Sequence, residues 1–485
     1  MSDHGDLDLE AFRTEGRRLI DWIASYLEGA ERLPVLPRVR PGEVRAGLPA
    51  SPPSRGEPLE SILADVERQI VPGLTHWNHP GFFAYFSNSS TGPAILGELL
   101  TAAFNANAML WKTAPAATEL EMLMMDWLRQ MTGLPAGLFG VIQDSASAST
   151  LVGLAAAREA VPGLDARRRG LVGQARLRMY ASEQAHSSVE KAGIVLGIGQ
   201  EGLRKVPVDA GFRMDPRALA AAVAEDRAAG FTPFAVTATV GTTSTTSVDP
   251  VPEIADICAR ERLWLHVDAA YAGSAAVVPE LRWLLRGCER ADSLVMNPHK
   301  WLFVPLDLSA FYTRRPEVVK AAFSLVPDYL RTAEESLAPN LMDYGVSLGR
   351  RFRALKLWMV IRAFGQEGLA ARIREHVRLA QAFRGWVEAD PAFEVVAPSP
   401  LSVVCFRWRG PGAAPEEEDR ANEKILDSVN LSGEAYLSHT RLGGRTVLRL
   451  AVGNVRTEER HVRRAWELIR AGAASAAGRM ERAAV

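Results

Sequence analysis

Four short stretches of this 485-residue chain carry side chains that could do chemistry together. In "SLVMNPHKWLFV", residues 293–304, Lys300 sits among apolar neighbours, company that lysine seldom keeps. "HVDAAYAGSA" places Asp268 at the end of an apolar run, and "EQAHSSVE" places His186 at a turn into a helical stretch. "VIQDSASAST" places Ser145, Ala146 and Ser147 where a helix begins. Taken singly, each has an ordinary reading: an ion-paired lysine, a capping aspartate, a turn histidine and an unremarkable helix start.

Taken jointly they suit one chemistry. An apolar setting disfavours the charged form of lysine and leaves an amine able to form a Schiff base. A buried carboxylate can hold a pyridine nitrogen protonated, which makes the ring an electron sink. An imidazole can lie against an aromatic ring, and small residues opening a helix leave N–H groups free for a phosphate. These are the requirements of pyridoxal 5′-phosphate.

The elements around these residues must bring them to one place. From about residue 80 to 370, short β-rich runs alternate with helical stretches. "RLRMYAS" (176–182), "FAVTATV" (234–240), "LWLHVDAA" (263–270), "DSLVMN" (292–297) and "DLSAFYTR" (307–314) read as strands. Apolar strands separated by helices predict an α/β fold with a mostly parallel sheet covered on both faces. Sites in such sheets lie at the carboxyl ends of the strands, where Asp268, Lys300 and His186 fall. Residues 8–28 predict an amphipathic helix with Phe12, Leu19, Ile20, Ile23 and Leu27 on one face. A Pro-rich tether follows it, and a leading helix of this kind predicts packing against a partner subunit. "FEVVA", "SVVCFRWRG" and "TVLRLAVG" predict a small C-terminal α+β unit. The expected division is an N-terminal dimerisation segment (1–79), a large cofactor-binding domain (80–384) and a small C-terminal domain (385–485).

Composition bounds the reading. Hydrophobic residues make up 47%, and a net charge of −1 leaves no electrostatic footprint for nucleic acid or an anionic membrane. Three scattered cysteines without CxxC spacing predict a reducing, cytoplasmic setting and no structural zinc. No apolar run reaches membrane-spanning length, and no secretory signal is visible. "GIGQEG" (197–202) matches a nucleotide-binding spacing, but it follows a helical segment and precedes a strand, the reverse of the required context. "HWNH" has two-ligand spacing without a third ligand, so no metal is expected.

"NPHKW", "HVDAAYAGS", "QAHSSVEKA" and "PAATELE" resemble the group II pyridoxal-phosphate decarboxylases, most closely the aromatic-L-amino-acid decarboxylases. The likeness extends from "GRRLIDWIASYLEG" to "VLRLAVGNVRTEERHVRRAWE", nearly the whole chain. It implies a fold-type I architecture with a seven-stranded type of sheet, a homodimer with shared active sites, and a small-molecule amino-acid substrate. It also implies that Lys300 carries the cofactor, Asp268 pairs with its ring nitrogen, and Ala270 and His186 flank the ring. Ser145, Ala146, Ser147 and Asn297 would hold the phosphate, with His299 adjacent and Thr243 near Asp268. Tyr329, in the polar stretch "PDYLRTAEESLAPN", would be the acid that protonates Cα, on a mobile lid.

The resemblance places the substrate against Trp77, Tyr85, Phe86, Asn88, Met109 and Gly349. Their aromatic members suit flat side chains. Glycine at 349 leaves room for an indole, so tryptophan is expected as a substrate, with phenylalanine and tyrosine- or DOPA-like amino acids beside it. Asn88, Asn107 and Lys112 depart from the animal pattern and leave the pocket's polarity open. Two alternatives remain: a pyridoxal-phosphate aldehyde synthase, which couples decarboxylation to oxidative deamination, and a decarboxylase of a non-aromatic amino acid. Because Tyr329 and His186 are both retained, the resemblance favours simple decarboxylation.

Overall fold

The computed structural model describes residues 5–325, 338–410 and 412–483. Its centre is a seven-stranded sheet: β1 (Phe139–Gln143), β2 (Leu177–Ser182), β3 (Leu203–Val206), β4 (Thr232–Thr239), β5 (Trp264–Asp268), β6 (Ser293–Met296) and β7 (Ser309–Thr313). The strand order is β1-β7-β6-β5-β4-β2-β3. β2, β3, β4, β5 and β6 pair in parallel, whereas β7 runs antiparallel to both β1 and β6. All five residues of β5 are buried, as parallel strands covered on both faces require. Register sets Asp268 beside Thr239 of β4 on one side and Val295 of β6 on the other.

Seven helices matter below: α1 (Leu9–Gly29), α2 (Ala146–Glu159), α3 (Ser187–Val195), α4 (Val251–Glu261), α5 (Pro298–Trp301), α6 (Ala354–Ala389) and α7 (Glu459–Ala483). Asp8 caps α1 through its carboxylate, Ser145 caps α2 and His186 caps α3, each satisfying an otherwise orphaned backbone N–H. α6 is broken at Gly365, whose φ of 63° and ψ of 170° are open to glycine. A smaller sheet has the order β10-β11-β9-β8, formed by β8 (Phe393–Val395), β9 (Val403–Trp408), β10 (Ser438–Leu442) and β11 (Arg445–Ala451).

Contacts divide the chain into two compact units. The first holds residues up to Ala84, Trp408–Leu448, and the chain from Arg456 onward; the second holds Tyr85–Arg407 and Arg449–Val455. In the first, Val35, Phe82 and Ala84 form a small core with Trp77 and Tyr436 packed on it. In the second, α2 lies on the sheet, contributing Val152, Leu154, Ala155, Ala156 and Ala157 to a core with Met179, Ala235, Trp264 and Phe311. Gly153 lets α2 approach closely: a Cβ there would lie 2.8 Å from His266 Nδ1 and 2.9 Å from Ser293 Oγ. The turn Gly197–Gly202 leads from the end of α3 into β3, helix to strand.

Candidate active site

Lys300 lies on the one-turn helix α5, which begins right after β6 and has Asn297 as its N-cap. The Lys300 N–H donates to the Asn297 carbonyl at 2.9 Å. Its Nζ lies over the Phe86 ring, 5.1 Å from the centroid. Burial pushes the amine's pKa down and the Arg449 charge pushes the same way, against the Asp268 carboxylate. Asp268 ends β5 and is buried; the Ala270 N–H donates to its Oδ1 at 3.0 Å and fixes the carboxylate. The Ala270 carbonyl in turn accepts from the Asn297 N–H at 3.0 Å, tying the two strand ends together.

His186 sits at the carboxyl end of β2, its side chain exposed on one side. Its Nδ1 accepts from the Ser188 N–H at 3.1 Å, which leaves the ring proton of the neutral form on Nε2. Desolvation lowers its pKa; Asp268 opposes that and Lys300 adds to it, so the three groups share one electrostatic neighbourhood. Ser145 accepts from the Ala148 N–H at 3.2 Å, and the N–H groups of Ala146 and Ser147 have no intrahelical partner.

Asn297 shows what chemistry these groups suit. The Leu308 N–H donates to His299 Nδ1 at 2.9 Å, and burial holds the His299 pKa at about 3, so the ring is neutral with its proton on Nε2. That N–H faces the Asn297 amide at 3.2 Å, and only the amide oxygen can accept it. The amide's other atom, buried without a protein partner, is therefore the NH2; the assignment follows from this network. A buried amide donor left over beside Lys300 fits an anion such as a phosphate. Amine, buried carboxylate, imidazole and anion donors together fit pyridoxal 5′-phosphate.

The aromatic surroundings are more ordered than the sequence conveys. Phe86 stacks on Tyr271 at 3.8 Å between centroids, and Tyr271 stacks on Trp301 at 4.6 Å. The Trp301 Nε1–H donates to His376 Nδ1 at 3.0 Å. Arg449, 3% exposed, lies over the other part of this wall, 4.8 Å from the Phe86 centroid. It donates to the carbonyls of Tyr85 (2.6 Å) and Ser244 (3.0 Å), which pins the turn carrying Thr243. Tyr271, Trp301 and Arg449 escaped the sequence reading as site residues. The available signal was a lone arginine inside the apolar run "TVLRLAVG".

Other expected site residues lie further out. Thr243 is exposed at its turn, Tyr85 is exposed with a left-handed φ of 49°, and Asn88 is half-buried. Asn107, Met109 and Gly349 come together: Asn107 Nδ2 lies 3.4 Å from Met109 Sδ, and Asn107 Oδ1 accepts from the Arg350 N–H at 3.0 Å. A Cβ on Gly349 would meet only Asn107 Nδ2, at 3.9 Å, so the position is open. Trp77 belongs to the first unit, where it packs on Phe82. Lys112 is exposed. Tyr329 lies outside the described residues. The "HWNH" histidines have protein partners: His76 with the Tyr26 hydroxyl at 2.9 Å, and His79 with the Gly81 N–H at 2.8 Å.

The pyridoxal-dependent decarboxylase conserved domain matches residues 41–409. The chain belongs to that family. Among curated relatives of this decarboxylase, aromatic-L-amino-acid decarboxylase of Sus scrofa is 46% identical over 477 residues, covering 96% of each chain. Phenylacetaldehyde synthase of a Rosa hybrid cultivar is 40% identical over 480 residues, covering 96% of this chain and 94% of its own. Among solved structures, Oryza sativa TDC with PLP and tryptamine superposes with a TM-score of 0.93 at 41% identity, covering 97% of this chain and 99% of its own. The fold is therefore that of the pyridoxal-phosphate decarboxylases, and the enzyme is a pyridoxal-phosphate carboxy-lyase.

Proposed function

We propose that this enzyme decarboxylates aromatic L-amino acids, tryptophan foremost and phenylalanine and tyrosine- or DOPA-like residues beside it, to the amine and carbon dioxide. The observation that carries the reading is the buried aromatic stack of Phe86, Tyr271 and Trp301 beside Lys300, which makes the surroundings of the reactive amine apolar and aromatic. The pig and rice relatives, one named for aromatic amino acids and one solved with tryptamine, support it.

Bound pyridoxal phosphate supplies a conjugated ring that takes up the electron pair left at Cα when carbon dioxide departs. Asp268, its carboxylate fixed by the Ala270 N–H, would pair with the ring nitrogen. The Asn297 amide and the N–H groups of Ala146 and Ser147 would hold the phosphate, with Ser145 shaping their turn and His299 orienting Asn297. The lowered pKa of Lys300 keeps the amine available as a nucleophile and as a proton carrier at Nζ. His186, neutral with its proton on Nε2, would flank the ring. Arg449, over the Phe86 ring that Lys300 also faces, places a fixed positive charge beside the amine and helps to hold its pKa down. Tyr329 is the acid proposed to protonate Cα.

The working unit proposed is a cytoplasmic homodimer with shared active sites. Leu96, Leu99, Leu100 and Phe104 form an exposed apolar stripe on the helix Gly92–Phe104, suited to burial against a second copy. Among the described residues no helix is long and apolar enough to cross a membrane, and all three cysteines are free and buried.

Carbon dioxide release from a panel of L-amino acids, with amine, aldehyde, ammonia and peroxide measured together, tests the reading. Amine and carbon dioxide in equal amounts from tryptophan are expected. The rose relative motivates the aldehyde-synthase alternative, which would show peroxide and ammonia in proportion to carbon dioxide. Release only from non-aromatic amino acids would overturn the substrate class.

A further inference from the structure

A cavity of about 520 Å³ opens at the end of the sheet opposite the cofactor residues, where β4 and β5 begin and α2 and α4 finish. Its size is in the range of small-ligand sites. Phe234 and Trp264 contribute apolar walls, and four arginines, Arg262, Arg290, Arg314 and Arg315, line the cavity beside them. Asp292 is the one lining carboxylate, 3.6 Å from Arg314 and occupied on Oδ2 by the Leu265 N–H at 2.9 Å.

Two of the four arginines are already committed. Arg290 pairs with Asp256 at 2.7 Å and reaches the Pro252 carbonyl; Arg314 donates to the carbonyls of Ala291 (2.8 Å) and Arg290 (2.6 Å). The other two are less engaged. Arg315 lies over the Trp264 ring at 5.2 Å and has one long ion pair, with Glu317 at 3.8 Å. The Arg262 guanidinium has no hydrogen-bond or ion-pair partner among the described residues, although Arg260 and Arg227 close by both pair with Glu261.

Arg262 also sits where a side chain is costly. It ends α4 in the left-handed region, φ 56° and ψ 45°, a position that glycine takes without strain. The arginine there brings an uncommitted cation to the rim of an apolar cavity. We infer that this cavity is a second ligand site, for a small amphipathic anion: one carboxylate or phosphate ester on a flat apolar body. The anion would be held by Arg262 and Arg315, and the apolar body would rest on Phe234 and Trp264. The site stands apart from the decarboxylase reading, since none of its residues belongs to the cofactor cluster.

Titration calorimetry on the cofactor-loaded protein, with phenyl phosphate, 3-phenylpropanoate and inorganic phosphate as probes, tests the assignment. Aromatic acids can also enter the substrate pocket, so the variants decide. Arg262→Gly should keep the fold and melt no lower than the parent, because glycine relieves the left-handed position. It should nevertheless lose one phenyl phosphate binding event, and Arg315→Ala should weaken the same event about tenfold, as loss of a charged hydrogen bond does. Cofactor absorbance should be unchanged in both. Isotherms identical to the parent in both variants would overturn the site. Inorganic phosphate binding as tightly as phenyl phosphate would overturn the amphipathic class.

Discussion

The seat of α2 on the sheet decides whether a phosphate can be held, and Gly153→Ala tests it. The added methyl would stand 2.8 Å from His266 Nδ1, 2.9 Å from Ser293 Oγ and 3.1 Å from His266 Cε1. Ordinary contact begins at 3.4 Å, so about 0.6 Å must be found. The neighbours cannot give it. His266 and Ser293 are buried, bonded to each other at 2.8 Å, and Ser293 also accepts from Trp264 Nε1 at 2.8 Å. The helix must lift instead, at a cost of roughly 1–3 kcal/mol for overpacking. Its start at Ala146 is seven residues away, about 10 Å along the axis, so a lift of that order displaces the free N–H groups. Two weakened hydrogen bonds to a charged phosphate correspond to roughly 10- to 100-fold in cofactor affinity. Equilibrium dialysis of pyridoxal phosphate against the apoprotein measures the affinity, and its thermal midpoint reports the packing cost. Gly193→Ala is the control. A Cβ there meets the flexible end of Met179, and the next atom is 3.6 Å away, so little should change. Affinity within twofold of the parent in Gly153→Ala, or equal damage in Gly193→Ala, would refute the argument.

The Asn297 orientation predicts that Asn297→Asp, which replaces the free NH2 by an acceptor, weakens cofactor binding more than Asn297→Ala does; equal losses would contradict it. Arg449→Met removes a charge that lowers the Lys300 pKa, so the pH at which apoprotein captures cofactor should rise, while Arg449→Lys should leave it in place; the rate of absorbance change against pH measures this. Acid stability follows from buried histidines. His266 and His376, held near 4, and His299, held near 3, bind fewer protons folded than unfolded below the ordinary value of 6.5. Their contribution is complete above pH 6.5 and falls as pH drops toward 4, each at up to about 1.4 kcal/mol per pH unit. Asp249, raised to about 6 by burial, acts with the opposite sign over roughly pH 4–6, as does Asp292, which burial also raises; His79, held near 4, joins the histidines against them. Denaturant midpoints should therefore fall between pH 7 and 5, and a flat profile would contradict the assignment. Gly349→Ser, into open space beside Asn107, should shift preference from tryptophan toward phenolic substrates, measured as the ratio of kcat/KM values.

The centre of the sheet was legible because its strands announce themselves: β2, β4, β5, β6 and β7 each fall within an apolar run bounded by turn residues. β1 was not, since Phe139–Gln143 is short and runs straight into the helix start that drew attention. β10, Ser438–Leu442, is half polar on an outer strand, and its pattern gives little sign of a sheet. The reversal of β7 is invisible in composition because pairing direction is a tertiary property. Lys300, Asp268 and Asn297 were legible as residues that follow strands. Arg449 was not, because nothing local says that a strand near residue 450 returns to Phe86, which lies more than 350 positions earlier.

That return has a consequence for how the enzyme is made. The unit holding Lys300 takes Arg449–Val455 as its last segment, and Asn454 closes it by accepting from His376 at 3.0 Å. A ribosome that has released every strand of the seven-stranded sheet has still not delivered Arg449, the cation that shares the Phe86 ring with Lys300. Cofactor capture is thus tied to late synthesis. Nascent chains halted before residue 449 should carry the lysine, the aspartate and the phosphate turn, yet lack the piece that clamps them into one pocket.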